Sequence, residues 1–418
     1  MTPHARPRPL PALAAGTALV LILAACSSRE VSAPEDAEPR DDPPAPATAA
    51  PEDEPPPVLE GAPSWAAPYS SPPQAAADGF VGMAMPERGG GDLTFLGVDA
   101  EGATRWSTER NPSCTAFAVT EGADGEDLLV LLDSDADPSG GVLATTTTAA
   151  ALDPVDGSLV WGPTEVPGTL VGPGLLLGAI EGSVMSNSTG PKVALDPGTG
   201  TVAADEAEDG TELLHEYQGT LLVRDGGELR AAEAGSGDPL WAADDLDLPE
   251  HAGTDPDTAA PGPGPAPENG QAAAVVLSWA GADGEPAAHT AHDLRTGERL
   301  ASFPGPEEPR VVGDKDGLTV VGGPHPDGGQ LLVGLHSDPA EQLWRTRLPD
   351  GPKLDAVVGD HAYLTDGDAT RLVDLASGAA TEEGPWAVPV AAAEDGTALV
   401  PVGSDGLGDA FAAFGPSS

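Results

Sequence analysis

Ala151-Leu152-Asp153-Pro154-Val155-Asp156-Gly157-Ser158-Leu159-Val160-Trp161 decides how this chain is read, because the chain keeps rewriting it. A short apolar run ends at an Asp, turns through a Gly and leaves on an apolar run closed by Trp. Other versions span Val98 to Trp106, Ala194 to Val202, Ala231 to Trp241, His292 to Leu300, Leu335 to Trp344 and Leu372 to Ala380. Aligned on the Gly, or on the Trp four residues later, the turns fall at Gly102, Gly157, Gly200, Gly237, Gly297, Ala340 and Gly378. Their spacings are 55, 43, 37, 60, 43 and 38 residues. Such a period marks stacked units, none able to bury its apolar face alone.

Runs such as Leu128 to Asp133, Thr220 to Asp225, Ala272 to Trp279, Leu331 to His336 and Thr397 to Val402 are short and apolar. Gly, Pro, Asp and Asn bound them, so they read as strands. The Asp can accept backbone N–H groups two residues on, and Gly tolerates the positive φ of a tight hairpin. Trp106, Trp161, Trp241 and Trp344 open the outgoing strand, where one large ring can fill the wedge between neighbouring sheets. No stretch beyond the N-terminus keeps a 3.6 period for three turns without Gly or Pro. Four-stranded units at about 40–50 residues predict an all-β propeller of about eight blades, alternatively seven. Trp65, upstream of the first unit, is placed to supply the strand that the last unit lacks and so to close the ring.

The pattern A-x-D-x-x-x-G-x-x-x-W resembles the quinoprotein-type (PQQ-like) propeller repeat, over roughly residues 80–414. That family includes the propeller lipoprotein of outer-membrane barrel assembly, which this chain resembles in fold only. Several copies depart from the pattern. The first, Asp99 to Gly102, is one residue short; the third ends at Val202 without Trp; Glu233 replaces Asp in the fourth and Ala340 replaces Gly in the sixth. In the quinoprotein dehydrogenases of the family, many members stack the cofactor between a Trp and a vicinal Cys pair, with a calcium nearby. No adjacent cysteines occur here, so the resemblance implies a fold without a cofactor.

Composition narrows the partners. The 418 residues carry a formal charge of −50, with three Lys against fifteen Arg. A field of that size repels nucleic acid, which is excluded as a partner, and anionic lipid headgroups. Aromatics make up 4% of the chain, leaving the core to Val, Leu and Ala with seven Trp as anchors.

The N-terminus supplies an address. His4, Arg6 and Arg8 precede an apolar run from Leu10 to Ala25, too short for an ordinary spanning helix and typical of a signal peptide over residues 1–25. It ends Leu23-Ala24-Ala25-Cys26, which looks like a bacterial lipobox, with Cys26 as the acylated mature N-terminus. The same pattern fits an ordinary secretory signal with an incidental Cys. Residues 26–60 follow as a Pro-rich acidic segment: positions 27–60 hold nine Pro and ten acids against two Arg. Such composition predicts a disordered tether reaching roughly 100 Å. The folded domain is expected over 61–418, with residues 244–270, six Pro and seven acids, as a loop inserted between blades.

No catalytic motif emerges: there is no G-x-S-x-G elbow and no phosphate-binding Gly loop. Cys114 reads as a buried thiol. His289 and His292, three apart on a strand, point to opposite faces and cannot share a metal, so they read as surface or packing residues. Asp133, Asp135 and Asp137 alternate as in the start of a calcium loop, but Pro138 and Ala144 stand where Gly and Glu are needed. They read as a solvated loop, with cation binding the lesser alternative. The expectation is therefore a non-catalytic binding or scaffolding lipoprotein on the outer face of a bacterial cytoplasmic membrane, partnered by an envelope protein or wall component. The alternative is an extracytoplasmic enzyme, quinoprotein-like or other, with a site built from blade loops.

Overall fold

The computed structural model describes residues 34–47, 51, 53–85, 91–122, 125–136, 144–180, 189–247, 249, 273–280, 286–313, 318–337, 340–349, 351–367, 369–402 and 410–417. The signal peptide, Cys26, Asp137 and nearly all of the loop expected at 244–270 lie outside them. Of that loop, Asp244 and Asp245 belong to one 3-10 turn, Ala243–Asp245.

The chain folds into eight antiparallel sheets, each a meander whose successive strands run outward from the axis. The second blade shows the pattern: Phe117–Glu121, Asp127–Ser134, Thr147–Leu152 and Leu159–Val166 pair in chain order. Among the described residues the fifth blade has three strands, Ala274–Ala280, Pro286–Asp293 and Arg299–Pro304. In the eighth, Phe411–Phe414 pairs antiparallel with Trp65–Ala67 from the other end of the chain. The first unit and the last thus share a sheet, and neither is left with an unpaired edge at the seam.

Eight apolar cores, one at each interface, make the ring. Phe95 and Val81 of blade 1 pack on Leu129 of blade 2, and Leu132 of blade 2 on Leu175 of blade 3. Leu176 meets Leu213, Leu222 meets Val275, Ala291 meets Val321, and Val320 meets Leu354. Tyr363 of blade 7 packs by Ala392 of blade 8, and Leu399 of blade 8 with Phe80 closes the circle on blade 1. Each blade is buried on both faces, which explains runs such as Leu128 to Leu132 where a sheet with one wet face would alternate.

The repeated Trp bind one blade to the next. Trp106 donates its indole N–H to the Pro154 carbonyl at 2.8 Å, Trp161 to Pro197 at 2.9 Å and Trp241 to Leu294 at 2.8 Å. Trp65 reaches Ala100 at 3.2 Å, and Trp344 reaches Leu375. Every acceptor lies in the hairpin of the following blade. The ring of the Trp lies over the Gly of that hairpin: a Cβ on Gly200 would sit 2.2 Å from Trp161, and one on Gly297 2.8 Å from Trp241. Across its own sheet each Trp faces a small residue, Gly97, Ala151, Ala231 or Gly334, which leaves room for the indole.

The departures in the repeat follow this handover. The third blade carries Ala204 at the Trp position, and a Cβ on Gly237 in the fourth would meet nothing within 4 Å. The fifth carries Ala301, and the next hairpin is the one with Ala340 instead of Gly. The hairpins themselves are held by their acid. Gly157, Gly200, Gly237, Gly297 and Gly378 donate N–H to the carbonyl four residues back, while in the short first copy Gly102 donates to Asp99, three back.

Within the segment expected as a tether, residues 34–47 and 53–60 lie against the ring. Glu38–Asp42 forms a fifth strand on blade 1, antiparallel to Thr104–Arg110. Ala37 is buried and donates to the Gly157 carbonyl at 2.8 Å, and the Asp36 carboxylate accepts the Leu159 N–H at 2.9 Å. Ala45 accepts from Ala66, Glu54 from Ala387 and Val58 from Ser417, all at 2.9 Å. The composition argument counts apolar side chains only. Here the outer strand of blade 1 offers backbone groups, and pairing needs only backbone in return.

Candidate functional site

In an up-and-down sheet the first and third connections emerge at the same end. The turns after the inner strands and the Asp-x-x-x-Gly hairpins therefore share one face of the ring. On that face, around the axis, opens a cavity of about 500 Å³. This size falls in the ordinary range for small-ligand sites. Turn and inner-strand residues of several blades line it: Gln74 of blade 1, Thr120, Glu121 and Asp127 of blade 2, Gln218 of blade 4, Asp360 and His361 of blade 7, and Glu394 of blade 8. His336 of blade 6 faces it as well. Tyr217, Tyr363, Val357 and Val358 form apolar wall, and Val58 and Leu59 bring the N-terminal segment into it.

The polar lining is fixed by its own bonds. Gln74 Oε1 accepts the Val119 N–H at 3.1 Å, and Asp127 accepts the Ala77 N–H at 2.5 Å. Gln218 of blade 4 reaches Glu121 of blade 2 with its amide. Ala77 and Gln218 are the two non-Gly residues with positive φ among the described residues, at 49° and 45°. Both stand in inner-strand turns; Gln218 lines the cavity and Ala77 donates to Asp127, which does, and strain of this kind gathers where a site needs a fixed shape. The Thr120 hydroxyl is buried without a hydrogen-bond partner among the described residues.

Among the described residues, the charged lining of the site is acidic. Glu121, Asp127, Asp360 and Glu394 line it with no Lys or Arg among the lining residues. Burial lowers the pKa of His361 against the opposing pull of Asp374 and Asp360, which favours a neutral imidazole. The surrounding hairpins add Asp99, Asp153, Asp196, Glu233, Asp293 and Asp374 to the same face. Ser377 holds the Asp374 carboxyl below the usual carboxylate range, and Ser158 does the same for Asp156, so those hairpin charges persist into mild acid.

The residues singled out from sequence lie elsewhere. Asp133 accepts the N–H groups of Asn111 and Ser134, and Asp135 those of Thr145 and Thr146. These two carboxylates cap backbone turns, and among the described residues no group of three or more His, Cys, Asp or Glu is placed to hold a metal. Cys114 is buried beside Leu132 and Trp161, and burial raises its pKa. His289 and His292 are both buried packing residues. His292 bonds the Gly297 carbonyl and Thr290, which also accepts the Trp279 N–H. His289 and Ser278 share a 2.9 Å bond inside the blade 5 sheet, away from the cavity. Trp65, Trp106, Trp161, Trp241 and Trp344 all stand at blade junctions. The cavity itself escaped sequence reading, since its lining comes from single turn residues spread over more than 300 positions.

No protein-family profile matches this chain, and no curated protein sequence matches it. Solved structures do. BamB from Moraxella catarrhalis is similar at 16% identity and a TM-score of 0.37, over 82% of this chain and 94% of that one. The computationally designed protein Ika8 is similar at 14% and 0.39, over 84% and 97%. Sqt1 from Saccharomyces cerevisiae is similar at 10% and 0.38, over 90% and 99%. The likeness is one of fold.

Proposed function

We propose that this chain is a lipid-anchored, non-catalytic binding propeller on the outer face of a bacterial cytoplasmic membrane. It presents its acidic axial face to a cationic or neutral group of an envelope protein or wall component. The observation that carries the binding role is the axial cavity, shaped by turns from several blades and lined by carboxylates, amides and two histidines, with no Lys or Arg among the described residues. Such a site attracts positive charge. The anchor rests on the basic start, the apolar run and Leu23-Ala24-Ala25-Cys26.

The test uses the full chain in its own membranes. Cys26→Ala should remove acyl label and release the protein on fractionation. Retention of the unacylated variant would point to a protein-mediated anchor. Crosslinking from photoreactive groups at Asp360 and Glu394 should capture a partner whose yield falls with salt. Salt-independent capture through the outer rim alone would refute the axial site.

A further inference from the structure

Residues 34–47 and 53–60 run across the place where the ring is closed without a covalent link. Asp36 and Ala37 sit on the blade 2 hairpin, Glu38–Asp42 extends blade 1, and Ala45 bridges to Ala66 in the outer strand of blade 8. Glu54 then pairs with Trp386 between blades 7 and 8, and Leu59 with Pro416 behind the last strand. The described parts of this segment therefore touch four consecutive blades, 7, 8, 1 and 2, on both sides of the seam, which lies inside blade 8 between Trp65–Ala67 and Phe411–Phe414. Its first described contact is with the blade 2 hairpin, where Val155 and Val160 are 54% and 48% exposed.

We propose that this segment is a clasp that holds the seam shut and turns the blade 2 rim toward the bilayer. The orientation rests on the lipid anchor proposed above. Seven residues, 27–33, join Cys26 to Pro34. Fully extended, they span at most about 25 Å. The rim around Val155 and Val160 is thereby confined near the headgroups, while blade 6, four blades away, is held across the width of the ring. The charge of −50 does not prevent this, because repulsion from anionic lipid is screened over about 8 Å at physiological salt. The occupant of the blade 2 rim is the lipid surface.

Two measurements on the full chain test the two halves of the proposal. Hydrogen exchange of the detergent-solubilised protein reads the clasp. The paired amides of residues 37–42 are protected, and replacing residues 36–42 by Gly and Ser of equal length abolishes that protection and lowers the unfolding midpoint. Free exchange of these amides in the wild-type protein overturns the clasp. Energy transfer from a dye on Val155→Cys or Leu343→Cys to labelled headgroups reads the orientation. Transfer is higher from position 155, and the difference disappears when 36–42 are replaced. Equal transfer from both positions, in protein shown to be acylated, overturns the orientation. Absence of acylation counts against the anchor instead, leaving the exchange result to decide the clasp.

Discussion

Gly200→Ala and Gly237→Ala are the same substitution at equivalent hairpin positions, with φ of 67° and 71°. Both force Ala into the left-handed region, at about 1–2 kcal/mol each. The surroundings differ. The new Cβ at Gly200 would lie 2.2 Å from Trp161 Cε3 and 2.4 Å from Cδ2, while at Gly237 nothing lies within 4 Å. Comfortable carbon–carbon contact needs about 3.5–4.0 Å, so the Trp161 ring must shift in a packed interface, at about 1–3 kcal/mol. Gly200→Ala should therefore lose about 2–5 kcal/mol and Gly237→Ala about 1–2 kcal/mol. Urea unfolding of the full chain in detergent, with slopes compared as well as midpoints, measures the difference. In a Trp161→Ala background the extra penalty of Gly200→Ala should vanish, leaving a coupling of about 1–3 kcal/mol. Equal losses at the two glycines, or full additivity with Trp161→Ala, would refute the idea that each Trp docks on the next hairpin.

Other outcomes follow from the same geometry. Trp161→Ala or Trp241→Ala alone should cost about 3–5 kcal/mol, and a loss under about half a kilocalorie would remove Trp as the inter-blade anchor. Glu216 is buried at the junction of blades 3 and 4, where it accepts N–H bonds from Leu175 and Gly219. Burial raises its pKa from 4.5 to about 7, so the native state holds an extra proton between those values. Its contribution is greatest below pH 4.5 and is lost as pH rises through 7, a swing on the order of 3 kcal/mol. Glu216→Gln cannot accept from both N–H groups and should be less stable throughout, but without that swing; a wild-type-to-variant gap independent of pH would refute the assignment. Spermidine should bind the full chain, and Asp360→Asn with Glu394→Gln should weaken it by at least about 1 kcal/mol per charge. The rim pair Glu101→Gln with Glu298→Gln is the charge-matched control, and equal weakening by both pairs would mean binding to diffuse charge. Calorimetry with pyrroloquinoline quinone plus calcium should give no heat, and a dye-linked dehydrogenase assay no turnover.

The ring was legible in the sequence because its hairpins are local: Asp, Gly and Trp stand within nine positions of one another, and each copy reports the same turn. Closure was legible too, since Trp65 is a Trp strand without a hairpin and the last unit a hairpin without its Trp strand. The handover from Trp to the next Gly was not, because its two partners lie 34 to 56 residues apart in different copies. Glu38-Pro39-Arg40-Asp41-Asp42 shows no strand signal at all, and pairs through backbone atoms that every residue type carries. The cavity was hidden for a third reason. Glu121, Gln218, Asp360 and Glu394 are ordinary turn residues in sequence, and only the radial arrangement of the inner strands brings them to one axis.

The contact between each indole and the following hairpin also bears on how such a ring can be enlarged, shortened or recombined. A blade cut from its innermost to its outermost strand carries a tryptophan suited to the downstream neighbour and a glycine suited to the upstream one. It is therefore not an exchangeable part. Blade 3, with Ala204 at its tryptophan position, leaves Gly237 of blade 4 with open space above it, whereas Gly200 is built to take the Trp161 ring. Blade 4 could follow any neighbour, because Gly237 accepts either a ring or open space above it. The module that can be duplicated without conflict begins inside one sheet, at the tryptophan strand, and ends inside the next, at the glycine.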